Sequence, residues 1–126
     1  MSKRRIAPPE LVEKYTAKGE FVIPTKIKAG TTLLVETHEQ IYEVNARENG
    51  LFVTSYGKMF TGRDRKCYID GCIHGQSGIL FADLILEGMH LAMVIQGVGS
   101  YTTGRVLSVC LRGKGWHFEP WTKKTL

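Results

Sequence analysis

Cysteine and proline are scarce in this chain, at 3 and 4 of 126 residues. Three cysteines, odd in number and irregularly spaced, exclude a disulfide scaffold and suit a reducing compartment. No uninterrupted apolar run approaches the roughly 18 residues a membrane-spanning helix needs. A basic start, Met1-Ser2-Lys3-Arg4-Arg5, is followed by Pro8-Pro9-Glu10 where a secretory leader needs its apolar stretch. The expected location is therefore the cytoplasm or a particle assembled inside the cell. Internal repeats and low-complexity tracts are also lacking.

What is present is 43% hydrophobic residues and 14 glycines, a composition far from that of a disordered or collagen-like chain. The length suits one domain, whose core can bury roughly two-thirds of the unfolded surface. The net charge of +5 is unevenly placed. Residues 1–28 carry +4, residues 29–112 carry −1 and residues 113–126 carry +2. A near-neutral body with basic ends is expected, and charge so placed speaks to partners and solubility before fold.

From Thr31 onward the hydrophobic period is two. In Gln40–Arg47, Tyr42, Val44 and Ala46 alternate with Ile41, Glu43, Asn45 and Arg47, as in a half-buried strand. Asn49-Gly50 supplies a type I′ turn, and Leu51–Tyr56 returns with Ala46 opposite Val53, Val44 opposite Ser55, and Arg47 beside Phe52 on the other face. Further strands are expected at Thr32–Thr37, Lys66–His74, Leu91–Gln96 and Arg105–Arg112, with a short one at Phe21–Ile23. Ile79–Leu86 reads equally as helix or buried strand. Short strands at this spacing define an all-β class: a small antiparallel barrel or sandwich of about six to seven strands, with a short N-terminal helix and extended basic termini.

The helix is expected from Pro8-Pro9-Glu10 to Gly19, with proline at its start, acids in its first turn and glycine after its end. A helix of about ten residues is marginal alone, so Leu11, Val12 and Tyr15 need a surface, on this body or on another chain. At the other end Trp116, Phe118 and Trp121 alternate with Lys114, His117, Lys123 and Lys124. That pattern suits docking back on the barrel, a groove on a neighbouring protein, or stacking on unpaired bases.

Cys67, Cys72 and His74 come closest to a metal or thiol site. In a regular strand Cys67 points away from Cys72 and His74, which opposes a tetrahedral zinc site unless a bulge at Gly71 intervenes. Asp70, Cys72 and His74 share a face, but no helix N-terminus stands by to activate the thiol. Cys67 is expected in the core and Cys72 half exposed. The glycines of His74-Gly75-Gln76-Ser77-Gly78 lack the lysine–serine pair of a phosphate loop. No catalytic residue, cofactor or metal is assigned.

Val35-Glu36-Thr37 with Tyr42, Gly71-Cys72 with Gly75, Ile85 to Gly88-Met89 with Leu91, and Thr103 to Val106 resemble a family of small all-β bacterial proteins. Its pattern runs Thr-Arg-Asn…Tyr, Gly-Ser-x-x-Gly, Ile-x-x-Gly-Met and Thr-Ser-x-Val. The likeness spans about residues 31–110, with His38 and Glu39 for Arg-Asn, Cys72 for the first serine and Gly104 for the second. It implies a β fold and no catalytic residue, because the family has no assigned activity.

The expected organisation is a basic N-terminal arm with a helix (1–28), a β-body (29–112) and an aromatic basic tail (113–126). The expected function is a non-enzymatic structural or accessory subunit that docks into a larger assembly, such as a virion or another multi-protein complex. The expected contact residues are Arg4, Arg5, Leu11, Val12, Tyr15, Trp116, Phe118, Trp121, Lys123 and Lys124. The partners would be protein subunits, a second copy of the chain included, and no membrane. The alternative is a nucleic-acid-binding barrel using the basic ends and tail aromatics.

Overall fold

A computed structural model describes residues 5–18, 21–56 and 64–113, together with the backbone of 118–120. Among the described residues one helix, α1 (Pro9–Ala17), and a 3-10 turn, η1 (Pro24–Lys26), precede eight strands. These are β1 (Thr32–Thr37), β2 (Ile41–Arg47), β3 (Gly50–Tyr56), β4 (Arg65–Ile73), β5 (Leu80–Ala82), β6 (His90–Ile95), β7 (Gly99–Arg112) and β8 (Phe118–Pro120). All strand pairings are antiparallel.

The ladder follows the order β1-β2-β3-β4-β6-β7 and then returns to β1 through Thr32↔Arg112 to Thr37↔Val106. Six strands thus form a closed, barrel-like ring, and closure removes the unpaired edges that invite aggregation. Alternation fills it: Leu33, Val35, Val44, Val53, Ile69, Leu91, Met93 and Ile95 are all 2% exposed or less. Tyr42 joins this core, and its hydroxyl meets that of Tyr101 at 2.8 Å, with the Gln40 amide donating to both. Burial and the Tyr101 hydroxyl push the Tyr42 phenol well above its ordinary range.

The hairpin forms, with a shifted turn. The chain reverses over Glu48 and Asn49, neither at positive φ, and Gly50 opens β3 at φ 130°. Arg47 therefore pairs with Gly50, Ala46 with Leu51 and Val44 with Val53, two residues from the expected register. Because side chains repeat every two residues, this slip leaves the same faces buried. Ile79–Leu86 resolves into β5, a left-handed Asp83 at φ 52°, and a bridge from Ile85 to Val22. The strand expected from Arg105 starts six residues earlier, at Gly99, as β7.

A second core lies where β4 runs past β3 to meet β5. A bulge between Ile69 and Gly71 bends β4 there. Cys72, Phe81, Leu84, Leu86, Met89 and Ala7 form this cluster, and Leu11, Val12 and Tyr15 of α1 pack on it. The Tyr15 ring stands edge-on to Phe81 with centroids 5.1 Å apart, a geometry that suits the ring quadrupoles. Arg5–Ala7 line the free edge of β5 through Ala7 N–H to Leu80 O and Leu80 N–H to Arg5 O, both 2.8 Å. The described part of the expected N-terminal arm is therefore built into the body, and Val22 lies in the ring core at 0% exposure. A marginal helix takes the nearest apolar surface, and this chain supplies one.

Gly71 marks the tightest point of the fold. A Cβ there would lie 2.1 Å from the Phe81 carbonyl oxygen, and its φ is +148°. Gly88, at φ +87°, has open space beside it. Gly71→Ala should lower the unfolding free energy by about 3 kcal/mol or more, and Gly88→Ala by about 1–2 kcal/mol from backbone strain alone. Urea unfolding midpoints of the two variants check this order.

Candidate binding surface

Outward residues of β2, β3 and β4 converge on one face of the ring. The Arg47 guanidinium lies over the Phe52 ring, 4.3 Å from its centroid, as the strand parity predicted. It also pairs with Asp64. Lys66 sits opposite Phe52 in the ladder and is exposed. Its side chain crosses the hairpin turn, with Cε 3.1 Å from where a Cβ on Gly50 would stand. Two residues further along β4, Tyr68 faces Val94 of β6, and the pair is 61% and 42% exposed. A second outward apolar pair, Ile41 and Tyr56, closes the other end of the β2–β3 ladder.

Beside this face a groove of about 360 Å³ opens between η1 and the hairpin. Its floor is apolar: Pro24, Ile27, Ala46, Leu51, Cys67 and Ile69. Arg47, Glu48, Lys66 and Tyr68 also line it. The position of η1 depends on Asp83, whose carboxylate accepts from the Thr25 amide at 3.1 Å and from the Thr25 hydroxyl. Asp83 is the sole non-glycine residue with positive φ among the described residues. Backbone strain of that kind costs about 1–3 kcal/mol and persists where surrounding contacts enforce it.

Two of the three thiols are buried. Cys67 is 8% exposed in the ring core, and burial pushes its pKa up to about 12. Cys72, expected to be half exposed, is fully buried, because the bulge beyond Ile69 reverses the parity of β4. Burial raises its pKa to about 12, opposed weakly by a backbone contact to Leu86. Its sulfur meets Met89 Sδ at 3.6 Å, whereas His74 Nδ1 is bonded at Ser77. Burial disfavours the thiolate, the form of a cysteine that acts as a nucleophile. Among the described residues no three His, Cys, Asp or Glu side chains converge as a metal site would require.

The expected contact residues are not brought together. Leu11, Val12 and Tyr15 are half-buried on the second core, and Lys18 Nζ stands 5.1 Å from the Tyr15 ring. Arg5 is exposed. Phe118 opens β8, whose backbone pairs with Cys110–Arg112 on β7, so this part of the tail returns to the chain's own barrel. Arg4, Trp116, Trp121, Lys123 and Lys124 lie outside the described residues. The groove and the Tyr68–Val94 pair escaped sequence reading. Their one signal was the even-numbered Lys66 and Tyr68, outward on a strand whose odd positions are apolar.

No protein-family model, curated protein or solved structure matches the chain.

Buried thiols make stability depend on alkaline pH. Their folded pKa is raised above the unfolded value near 8.5–9, so the stabilisation is complete below pH 9 and is lost as pH rises toward 12. By pH 11 the loss should be about 3 kcal/mol per thiol. Tyr42 acts in the same direction at higher pH. Urea unfolding at pH 8 and pH 10.5 measures this. Thiol labelling at pH 8 should modify Cys110, which is half-buried, well before Cys67 and Cys72.

Proposed function

We propose that the chain is a non-enzymatic accessory subunit that docks on neighbouring proteins in a larger assembly. The observation that carries this reading is the pairing of exposed apolar residues on the ring's outer face, Tyr68 with Val94 beside an apolar groove, while Cys67 and Cys72 are sequestered. Apolar surface held outward beside cations is the composition of a protein contact: an aromatic centre with arginine near it. Leu11, Val12 and Tyr15, packed on the second core, leave docking to this face and to the tail bearing Trp116, Phe118 and Trp121.

A second reading, a nucleic-acid-binding barrel, draws on Arg47 over Phe52 and on Lys66 beside an exposed Tyr68. Cations and aromatic faces also suit single strands.

Salt separates the two. Light scattering on nuclease-treated purified protein should show a protein assembly heavier than one chain that survives high salt. Trp121→Ala should weaken it by about 2 kcal/mol or more, the loss typical of a buried aromatic anchor. A nucleic-acid-free monomer contradicts the proposal. A complex that nuclease destroys, with a salt slope of roughly −4 to −5 from about five phosphate contacts and no sensitivity to Trp121→Ala, establishes the second reading instead.

A further inference from the structure

We infer that the groove between η1 and the β2–β3 hairpin receives a bulky apolar side chain from an acidic segment of a partner protein. The inference rests on the docking role proposed above and gives that partner its chemistry.

Size is the first argument. About 360 Å³ is the scale of a site that encloses a compact group, large enough for an aromatic side chain. The floor is the second. Pro24, Ile27, Ala46, Leu51 and Ile69 offer no polar side-chain atoms, and Cys67 adds a neutral thiol. Thr25, the one hydroxyl among the lining side chains apart from Tyr68, already donates to Asp83. A nucleobase seated there would find few side-chain partners for its edge donors and acceptors, and unpaired polar groups oppose burial. An apolar side chain carries no such groups and gains from leaving water.

Charge at the mouth sets the character of the flanking residues. Lys66 is exposed and has no ion-pair partner among the described residues. Lys26 and Lys28, the chain neighbours of the lining residue Ile27, are exposed but do not themselves line the groove. Arg47 is held by Asp64 and stacked on Phe52, so it is already oriented. Against these cations stand Glu48, Asp64, which is paired with Arg47, and Asp83, whose carboxylate is bonded by Thr25. The surplus is positive, which steers acidic segments toward the groove and disfavours basic ones. Tyr68 and Val94 extend the apolar surface beyond the groove, so residues next to the inserted side chain also find a place to lie.

The test is a nitrogen-15 NMR titration of the full chain with capped peptides. The probe is Asp-Glu-Trp-Glu-Asp; its controls are Lys-Lys-Trp-Lys-Lys and Asp-Glu-Ala-Glu-Asp, with oligothymidylate as a fourth ligand. The acidic tryptophan peptide should shift the amides of Ile27, Ala46, Leu51, Cys67 and Tyr68. Both control peptides should bind about tenfold more weakly or worse, the difference expected when the anchor or its charge match is lost. Lys66→Glu should weaken the probe by about tenfold with the rest of the spectrum retained, and Lys66→Gln by about threefold. Absence of groove shifts, equal binding of the lysine peptide, or indifference to both Lys66 variants overturns the inference. Oligothymidylate shifting these amides in place of the peptide overturns it in favour of nucleic acid. If the peptide fails while a salt-resistant assembly still depends on Trp121, the docking role stands and this inference alone falls.

Discussion

Everything in this molecule depends on the two-sided pairing of β7. Its fourteen residues pair first with β6, from Ile95↔Gly99 to His90↔Arg105, and then with β1, from Thr37↔Val106 to Thr32↔Arg112. The hand-over near Arg105 closes the ring. Without it β1 and β6 would each present an open edge, and the alternating apolar residues would face no enclosed core. The pairing of Cys110–Arg112 with β8 uses β7 once more, now to gather the tail. One strand thus joins the core, the closure and the C-terminus.

The second constraint is the bulge at Gly71. It bends β4 so that its far end, still paired with β6, takes β5 on its other side, which creates a platform for a second core. Helix α1 lies on that platform because its apolar residues find Phe81 and its neighbours there. The same bend turns Cys72 inward. Closeness of backbone to backbone at Gly71 leaves no room for a side chain, so this one residue supports the second core, the helix and the burial of a thiol. Asp83, in the turn after β5, then ties η1 in place and shapes one wall of the groove.

The all-β class, the short helix and most strands were legible in the sequence because period-two alternation and helix end signals are local. Arg47 beside Phe52 was legible for the same reason. What escaped depends on contacts between distant segments. The hairpin slipped by two residues because Gly50 alone takes the positive φ that was assigned to Asn49 and Gly50 together. Cys72 was misplaced because its half-exposed placement assumed a regular strand, whereas the bulge weighed at Gly71 does form and reverses the parity. Leu11, Val12 and Tyr15 announced a need for cover without saying what would provide it. The groove joins residues from 24–27, 46–51 and 66–69, and no local pattern connects those three segments. The only local hint of that surface was outward Tyr68.

In this fold Cys67 is buried in the ring and Cys72 in the second core, while Lys66 and Tyr68 are held outward. Before its bulge, β4 turns Cys67 and Ile69 into the ring and displays Lys66 and Tyr68. Native-state hydrogen exchange tests closure most directly. Amides shared by β1 and the second half of β7 should exchange as slowly as those of the β2–β3 hairpin, by global unfolding alone. Rapid exchange along β1 and Val106–Arg112, with the hairpin still protected, would show an open sheet and contradict the account.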